Sequence, residues 1–412
     1  MEREAVLVGI DAGTTKVTTL IGEVGRSGDV SIIGYGIGPS VGMKKGMVAN
    51  IDQTVNSLTA SVEKAERLSG YKISSAFVSV GGSHISSQNS RGVVAVSGHG
   101  REVSREDVAR ATEAARAVQV PSNREMLHVI PRGYIVDGQE GIKDPLGMSA
   151  VRLEVDTHIV AGAATSVQNL TKCVTSANVQ IDELVISSLA AAEATLTDTE
   201  KELGVLVADI GGGTTDIAIF VDGAVYHTAV LPVGGINVTN DVAIGLRTSL
   251  NLGEEIKIKH GSANLADVGP EELLNVAVLG ESSGQTIQRR KLSEIIEARM
   301  SEIYSLIREE VKRSGHAGML PAGAVLTGGG ARIAGAAELA RDGLEMPVRI
   351  GSPQGVGGLM DQLGNPAFST SIGLLLWGAN HLGEEPIGYD GRNGVGAGLR
   401  GALDWVRGLF PG

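Results

Sequence analysis

Gly9-Ile10-Asp11-Ala12-Gly13-Thr14-Thr15-Lys16 and Ala208-Asp209-Ile210-Gly211-Gly212-Gly213-Thr214-Thr215-Asp216 are the stretches that decide the fold. Each ends a short apolar, β-branched run, Ala5 to Ile10 in one case and Gly204 to Ile210 in the other, of the kind that forms a buried strand. Each is followed by a second such run, Val17 to Val24 and Asp216 to Val221. The pattern is strand, tight polar turn, strand, and it occurs twice. A duplication spaced by about half the chain predicts two homologous lobes facing each other. The turns have a chemistry. Glycines let backbone N–H groups approach phosphate oxygens, and adjacent Thr hydroxyls add donors. Asp11 and Asp209 close the first strand of each hairpin, where a carboxylate repels phosphate but can hold a hydrated Mg²⁺ that bridges phosphates. Lys16 can reach a phosphate as a point charge. One hairpin alone could be a plain tight turn. Two matched copies, both with Asp before and Thr-Thr after the glycines, point to a ligand.

A third loop follows. Ala324 to Leu326 reads as a strand, Thr327-Gly328-Gly329-Gly330-Ala331 as a glycine turn, and a helix is expected from about Ile333. Such a turn lets a flat base lie against backbone at a helix N-terminus. The Gly-Lys-Ser/Thr ending of a P-loop is absent. A phosphate hairpin in each lobe, with an adenosine loop in the second, resembles the actin, sugar-kinase and chaperone ATPase superfamily, which implies ATP and Mg²⁺ in a cleft. On that resemblance Gly234-Gly235, ahead of a helix expected from about Asn237 to Leu250, lies where lobe two meets the nucleotide. Glu254 and Lys257 are one turn apart on a predicted helix and face one way. The resemblance implies a ribose and adenine contact there; a plain surface ion pair is the alternative. Ser187 to Leu196 and Thr370 to Ala379 read as helices running between the lobes.

Composition narrows the function. The net charge of −12 argues against a broad nucleic-acid surface, which needs a basic stripe. Aromatics are 3%, so the cores must be built from Val, Ile, Leu and Ala. Cys173 is the single cysteine, which excludes an intramolecular disulfide, and with Leu170 and Val174 it reads as a core residue of a helix. The eight histidines show no metal-ligand spacing. No run reaches the roughly 20 apolar residues of a membrane span, and the N-terminal apolar run is too short for a secretory signal. The expectation is a cytosolic protein unless an end of the chain anchors it.

Between Ser83 and Val160 the sequence reads as a small α+β insert in lobe one. It has a β stretch (Gly92 to Ser97), a charged helix (Arg105 to Ala117), a β stretch (Met126 to Val136), a polar turn from Asp137 to Met148 and a strand from Val151 to Val160. His128-Val129-Ile130-Pro131, Gly147-Met148 and Val151-Arg152-Leu153-Glu154 closely resemble the FtsA family of bacterial cell-division proteins. So do Val233-Gly234-Gly235, Thr239-Asn240-Asp241 and Glu254-Glu255-Ile256-Lys257-Ile258-Lys259. The resemblance runs in order from Val8 to Phe410; Ala12 departs from it, where the family often has a larger aliphatic residue.

The resemblance implies an α/β, actin-like two-lobed fold with duplicated ribonuclease-H-like cores, an inserted α+β (SHS2-like) subdomain and a C-terminal amphipathic helix. It implies a lobe-one core from 1–82, 162–195 and 375–383, with the insert at 83–161. The lobe-two core takes 196–226 and 305–374, and its outer subdomain takes 227–304. A linker at 384–397 and a membrane-targeting helix at 398–412 follow. It further implies head-to-tail filaments, slow ATP turnover if any, a place at the division septum on the cytoplasmic side of the plasma membrane, and contact with other division proteins. The family's docking site for the C-terminal tail of the tubulin-like protein FtsZ corresponds to the helix around Ile296 to Ile303, with Arg299 as the charged contact. Read from its residues alone, Arg289 to Arg313 is a long helix whose charges form either a solvated face or a docking face. Ile295, Ile296, Ile303 and Ile307 could belong to the core or to a peptide groove.

The tail reads independently of any family. Gly383 to Gly398 is Gly-rich and aperiodic, a tether. Leu399, Ala402, Leu403, Val406, Leu409 and Phe410 then recur at helical spacing, with Arg400, Asp404 and Arg407 opposite and Trp405 at the boundary. That pattern suits a helix lying in a lipid headgroup layer; folding back onto the protein is the alternative. Other readings remain at this point: a pilus-assembly or rod-shape relative, or a sugar kinase.

Overall fold

The computed structural model describes residues 5–97, 99–117, 120–278 and 284–382. The linker and amphipathic helix expected at 384–412, with Leu399, Leu403, Trp405, Val406, Leu409 and Phe410, lie outside the described residues.

Lobe one begins with an antiparallel meander, β1 (Ala5–Ala12), β2 (Lys16–Val24) and β3 (Val30–Pro39). A small hairpin, β4 (Met43–Lys44) and β5 (Met47–Val48), leads to helix α1 (Ile51–Ser69) and to β6 (Ser75–Val80), which runs parallel to β1. Asn50 caps α1 by accepting from the Gln53 N–H, and Gly70 ends it in the left-handed conformation that its missing Cβ permits. The helix buries Leu58, Val62 and Ala65 against β3.

The insert comes next: β7 (Ser86–Ala95), α2 (Arg105–Arg116), β8 (Arg124–Val136), β9 (Gln139–Ile142) and β10 (Arg152–Ala163). Its four strands form a sheet in the order β7-β10-β8-β9. It has a small core of its own, with Ala111 and Ala115 of α2 on Leu153 and Val155 of β10. The stretch expected to be one polar turn contains β9, which pairs with β8.

Helix α3 (Ala164–Ser176) carries the buried Cys173, and β11 (Gln180–Ile186) completes the first sheet beside β6. Helix α4 (Ser187–Thr195) is buried on nearly every face, so it serves both lobes. A short helix, α5 (Asp198–Leu203), opens lobe two. There β12 (Val205–Ile210), β13 (Thr215–Val221) and β14 (Ala224–Leu231) form a second antiparallel meander.

The outer part of lobe two holds α6 (Gly235–Gly245), α7 (Leu250–His260), the hairpin β15 (Leu273–Val276) and β16 (Gln285–Gln288), and the long helix α8 (Arg289–Arg313). One helix was expected from Asn237 to Leu250, and two are found. Arg247 takes a left-handed backbone (φ 52°), and Ser249 caps α7 by accepting from the Leu252 N–H. Local capping chemistry therefore overrides the apolar periodicity. Ile296, Ile303 and Ile307 of α8 are fully buried and Ile295 packs against Gly245, which resolves the earlier ambiguity in favour of the core.

Strand β17 (Ala324–Thr327) lies parallel to β12, then α9 (Ala336–Leu344) and β18 (Val348–Ile350) follow. The helix expected from Ile333 starts at Ala336. A 3-10 turn over Gly330–Arg332 and the left-handed Gly335 delay it. The second sheet runs β14-β13-β12-β17-β18, and the first runs β3-β2-β1-β6-β11, with one further strand beyond β3. Three antiparallel strands followed by two parallel ones, in the same order, make the lobes copies of one plan.

That further strand is β19 (Val356–Gly358), parallel to β3. The chain thus rejoins lobe one near Val356 and not, as expected, at 375. Helix α10 (Ser369–Asn380) then lies along lobe one, with Ile372 and Leu375 packed on Leu7 and Leu20. The insert also reaches lobe two. His158 of β10 bonds Asn89 of β7 through Nδ1 (2.8 Å) and Thr228 of β14 through Nε2 (3.0 Å). Arg132 lies over the Tyr226 ring at 3.7 Å. Burial holds the His158 imidazole well below its ordinary range, at about 3, with His227 and Arg132 adding to the effect.

Candidate functional site

The two strand–turn–strand hairpins meet between the lobes, above a cleft with a cavity volume of about 650 Å³. That is within the size range of small-molecule and cofactor sites. The hairpins touch. A Cβ on Gly212 would lie 2.4 Å from the Thr15 methyl, and one on Gly213 would lie 2.7 Å from Thr14 Oγ1. Only glycine fits at that crossing.

Asp11 and Asp209 stand on the cleft floor, one from each lobe. Ser79 of β6 donates to Asp11 Oδ1 (2.8 Å) and Ser371 to its Oδ2 (3.2 Å), while Thr370 donates to Asp209 Oδ2 (2.5 Å). The first turn of α10 therefore holds both carboxylates. Burial raises the pKa of Asp11, and it raises Asp209 to about 6 with the Asp11 charge adding to it. Asp216, facing Gly81 and Ser187 of lobe one, is pushed up to about 8 by burial and then by Asp209. Thr214 donates to one of its oxygens, and the other is buried without a partner. Three carboxyls, Asp216 buried and Asp11 and Asp209 half-buried, with raised pKa values form a place where added positive charge is favoured. Among the described residues no group of three or more His, Cys, Asp or Glu could hold a metal ion. The donors present, hard carboxylate oxygens, suit Mg²⁺ held through water and phosphate.

Several expected residues sit differently. Lys16 Nζ donates to the Ala367 carbonyl and lies 3.7 Å from the centroid of the Phe368 ring, so its ammonium is already engaged. Burial lowers its pKa. The hydroxyls of Thr214 and Thr215 donate to Asp216 and to the Val233 carbonyl, which makes them framework and leaves the ligand-facing donors of this hairpin to the backbone. Gly13, Thr14, Thr15, Gly211 and Gly212 line the cleft, whereas Gly213, Thr215 and Gly234 stand behind its wall. Ala331 belongs to the lobe-two core.

The outer wall is built on α6 and α7. The Gly235 and Ile236 N–H groups bond the Gly211 and Gly212 carbonyls at 2.9 and 2.8 Å, tying the start of α6 to the lobe-two hairpin. Lys257 Nζ, buried, donates to Glu254 Oε2 (2.7 Å), Thr239 Oγ1 (2.9 Å) and the Gly235 carbonyl (3.2 Å). Glu254 and Lys257 are thus an ion pair and also line the cleft. In the third loop Gly328 has φ 85°, and a Cβ there would lie 2.2 Å from Asp209 Oδ1. Gly329 faces open space, and Gly330 begins the 3-10 turn.

Arg299 lies away from the cleft on α8. Its Nε and Nη2 donate to the two Asp241 oxygens at 2.5 and 3.1 Å, and Nη1 to Glu302. The guanidinium expected to meet a partner is paired within the chain.

Sequence profiles of two families match this chain: Cell division protein FtsA over residues 206–373, and SHS2 domain inserted in FTSA over residues 82–161. A protein described as Cell division protein FtsA from Pseudomonas aeruginosa is 45% identical over 90% of this chain and 89% of its own. Its counterpart from Escherichia coli K12 is 39% identical over 98% of both chains. Among solved structures, the PilM-PilN type IV pilus biogenesis complex superposes with TM-score 0.66 at 17% identity, over 94% of this chain and 100% of the other. MreB5 of Spiroplasma citri bound to ADP superposes with TM-score 0.56 at 14% identity, over 92% and 97%. At those identities the likeness is one of fold, and the fold is actin-like.

Proposed function

The chain belongs to the FtsA family of cell-division proteins, and from that premise we propose that it binds Mg·ATP between its lobes, polymerises, and tethers the FtsZ ring to the cytoplasmic face of the plasma membrane. The observation that carries the nucleotide part is the pair Asp11 and Asp209, brought from two hairpins onto one cleft floor under the hydroxyls of α10. Backbone N–H groups of the two turns would take the phosphates. Asp11 and Asp209 would hold the hydrated cation, which neutralises phosphate charge. Glu254 and Lys257 would meet the ribose and base, with Gly328, Gly329 and Gly330 beneath. No side chain is assigned to activate a water, so the nucleotide acts as a conformational ligand.

The FtsZ tail would dock on the outer subdomain at α8, with Arg299 exchanging its internal carboxylate for one on the peptide. Leu399, Leu403, Trp405, Val406, Leu409 and Phe410 would enter the lipid interface. Co-sedimentation tests the whole reading. FtsZ should pellet with anionic vesicles only when this protein is present, and more of it with Mg·ATP than without, and a chain ending at Gly398 should fail to bring it down. FtsZ recruitment by the shortened chain equal to that by the full one would refute the tether.

A further inference from the structure

Helix α6 has the nucleotide wall on one side and the docking arginine on the other. Its first turn is fixed at the cleft by the Gly235 and Ile236 N–H bonds to the hairpin and by Lys257, which holds the Gly235 carbonyl and the Thr239 hydroxyl. Thr239 in turn donates to Glu254. Two residues on, Asp241 grips Arg299 of α8 with both oxygens. Val238 and Val242 are fully buried in the lobe-two core with Ile296, Met300 and Ile303, so α6 can move only as a unit. From Gly235 to Asp241 is six residues, about 9 Å along the axis at 1.5 Å per residue.

We propose that α6 couples the two sites, so that nucleotide in the cleft and an acidic peptide at Arg299 raise each other's affinity. The inference rests on the docking reading above and adds the regulation of that site. A nucleotide contacting Glu254 and Lys257 competes for the same atoms that hold the first turn of α6. Once those bonds are exchanged, the helix shifts on α8. The two-point geometry between Asp241 and Arg299 tolerates little displacement, because both hydrogen bonds depend on the planar fork. The Nε–Nη2 edge of the guanidinium is then free to take a carboxylate from the peptide, while Glu302 of the same helix keeps Nη1. Coupling is reciprocal by linkage, so the peptide must tighten nucleotide by the same factor.

Calorimetry on the full chain tests this with a synthetic FtsZ C-terminal tail peptide and a non-hydrolysable ATP analogue with Mg²⁺. The analogue should tighten peptide binding at least about fivefold, the low end of ordinary allosteric coupling, and the peptide should tighten the analogue equally. Asp241→Asn removes one charge at constant size. It should bring peptide affinity without nucleotide up toward the nucleotide-bound value and erase the nucleotide effect. Peptide affinity within about twofold with and without analogue, both ligands binding, overturns the coupling alone. So does an Asp241→Asn protein that keeps the full nucleotide effect. Failure of the peptide to bind under either condition overturns the docking reading and the coupling together.

Discussion

At position 209 a single carboxylate meets one hydroxyl from α10, the like charge of Asp11 and the opposite charge of Lys16. Asp209→Ala should therefore weaken Mg·ATP far more than metal-free ATP. Titration of nucleotide with and without EDTA checks this, and equal Mg²⁺ dependence in variant and parent would remove the metal assignment. Gly328 and Gly329 separate two effects within one turn. A side chain at Gly328 collides with Asp209 in a left-handed backbone, so Gly328→Val should unfold the site. At Gly329 a Cβ meets only Ala367 Cβ, at 4.0 Å. Gly329→Val should leave the melting temperature near that of the parent, within the roughly 0.5 kcal/mol expected of an unstrained exposed change, yet exclude nucleotide with or without Mg²⁺. The hairpins were legible in the sequence because their chemistry is contiguous. Ser79, Thr370 and Ser371 were not, since each is an ordinary hydroxyl residue brought to the aspartates by a strand or helix far off in sequence. Lys16 was legible as a cation but not as a ligand of the Ala367 carbonyl, for the same reason.

Between elements, the contact of the insert with β14 depends on a neutral imidazole. His158 is lowered to about 3 in the folded protein against an unfolded value near 6.5. A group with a depressed pKa binds fewer protons folded than unfolded, so its stabilisation is full above about pH 6.5 and falls as pH drops toward 3. Near pH 5 the loss is about 2 kcal/mol. Acid should loosen the insert first, and His158→Gln should flatten the stability profile between pH 7.5 and 5. Urea midpoints across that range check it; an unchanged slope would show that protonation is accommodated. On α8, Arg299→Gln is a cleaner test of docking than Arg299→Glu, because reversal also sets Glu against Asp241. Arg299→Gln should weaken FtsZ-tail binding by about 1 to 3 kcal/mol and lessen its salt dependence, while ATP, with the Asp241 latch gone, should bind at least as tightly as to the parent. The extent of α8 was readable from its periodicity. The break between α6 and α7 was not, because the left-handed Arg247 leaves no mark in apolar spacing.

At the scale of the whole molecule, weak tails would act together. Each fully buried large apolar side chain contributes about 1.5–3 kcal/mol, and ordering a short helix offsets part of that. One tail should hold a vesicle reversibly, and a filament should hold it far better through effective concentration. Phe410→Glu or Trp405→Glu should release single molecules from vesicles, and a polymerisation block should weaken attachment with the tail intact. Sedimentation at concentrations below and above assembly separates these, and attachment indifferent to assembly would exclude avidity. The duplicated lobes were legible at this scale because each lobe carries one copy of the hairpin. The return of the chain at β19 was not, since three residues, Val-Gly-Gly, carry almost no strand signal. That strand bears on how the protein is born. Lobe one offers its β3 edge and the β1–β2 face from the first few dozen residues made, yet β19 and α10 cover them only when residues 356–380 emerge. At about 5–20 residues per second, some 300 further residues separate exposure from cover by roughly 15 to 60 s. The insert is closed by strands of its own and can fold during that wait, and lobe two gains its last strand, β18, just before β19 emerges, so the lobe synthesised first is the one completed last.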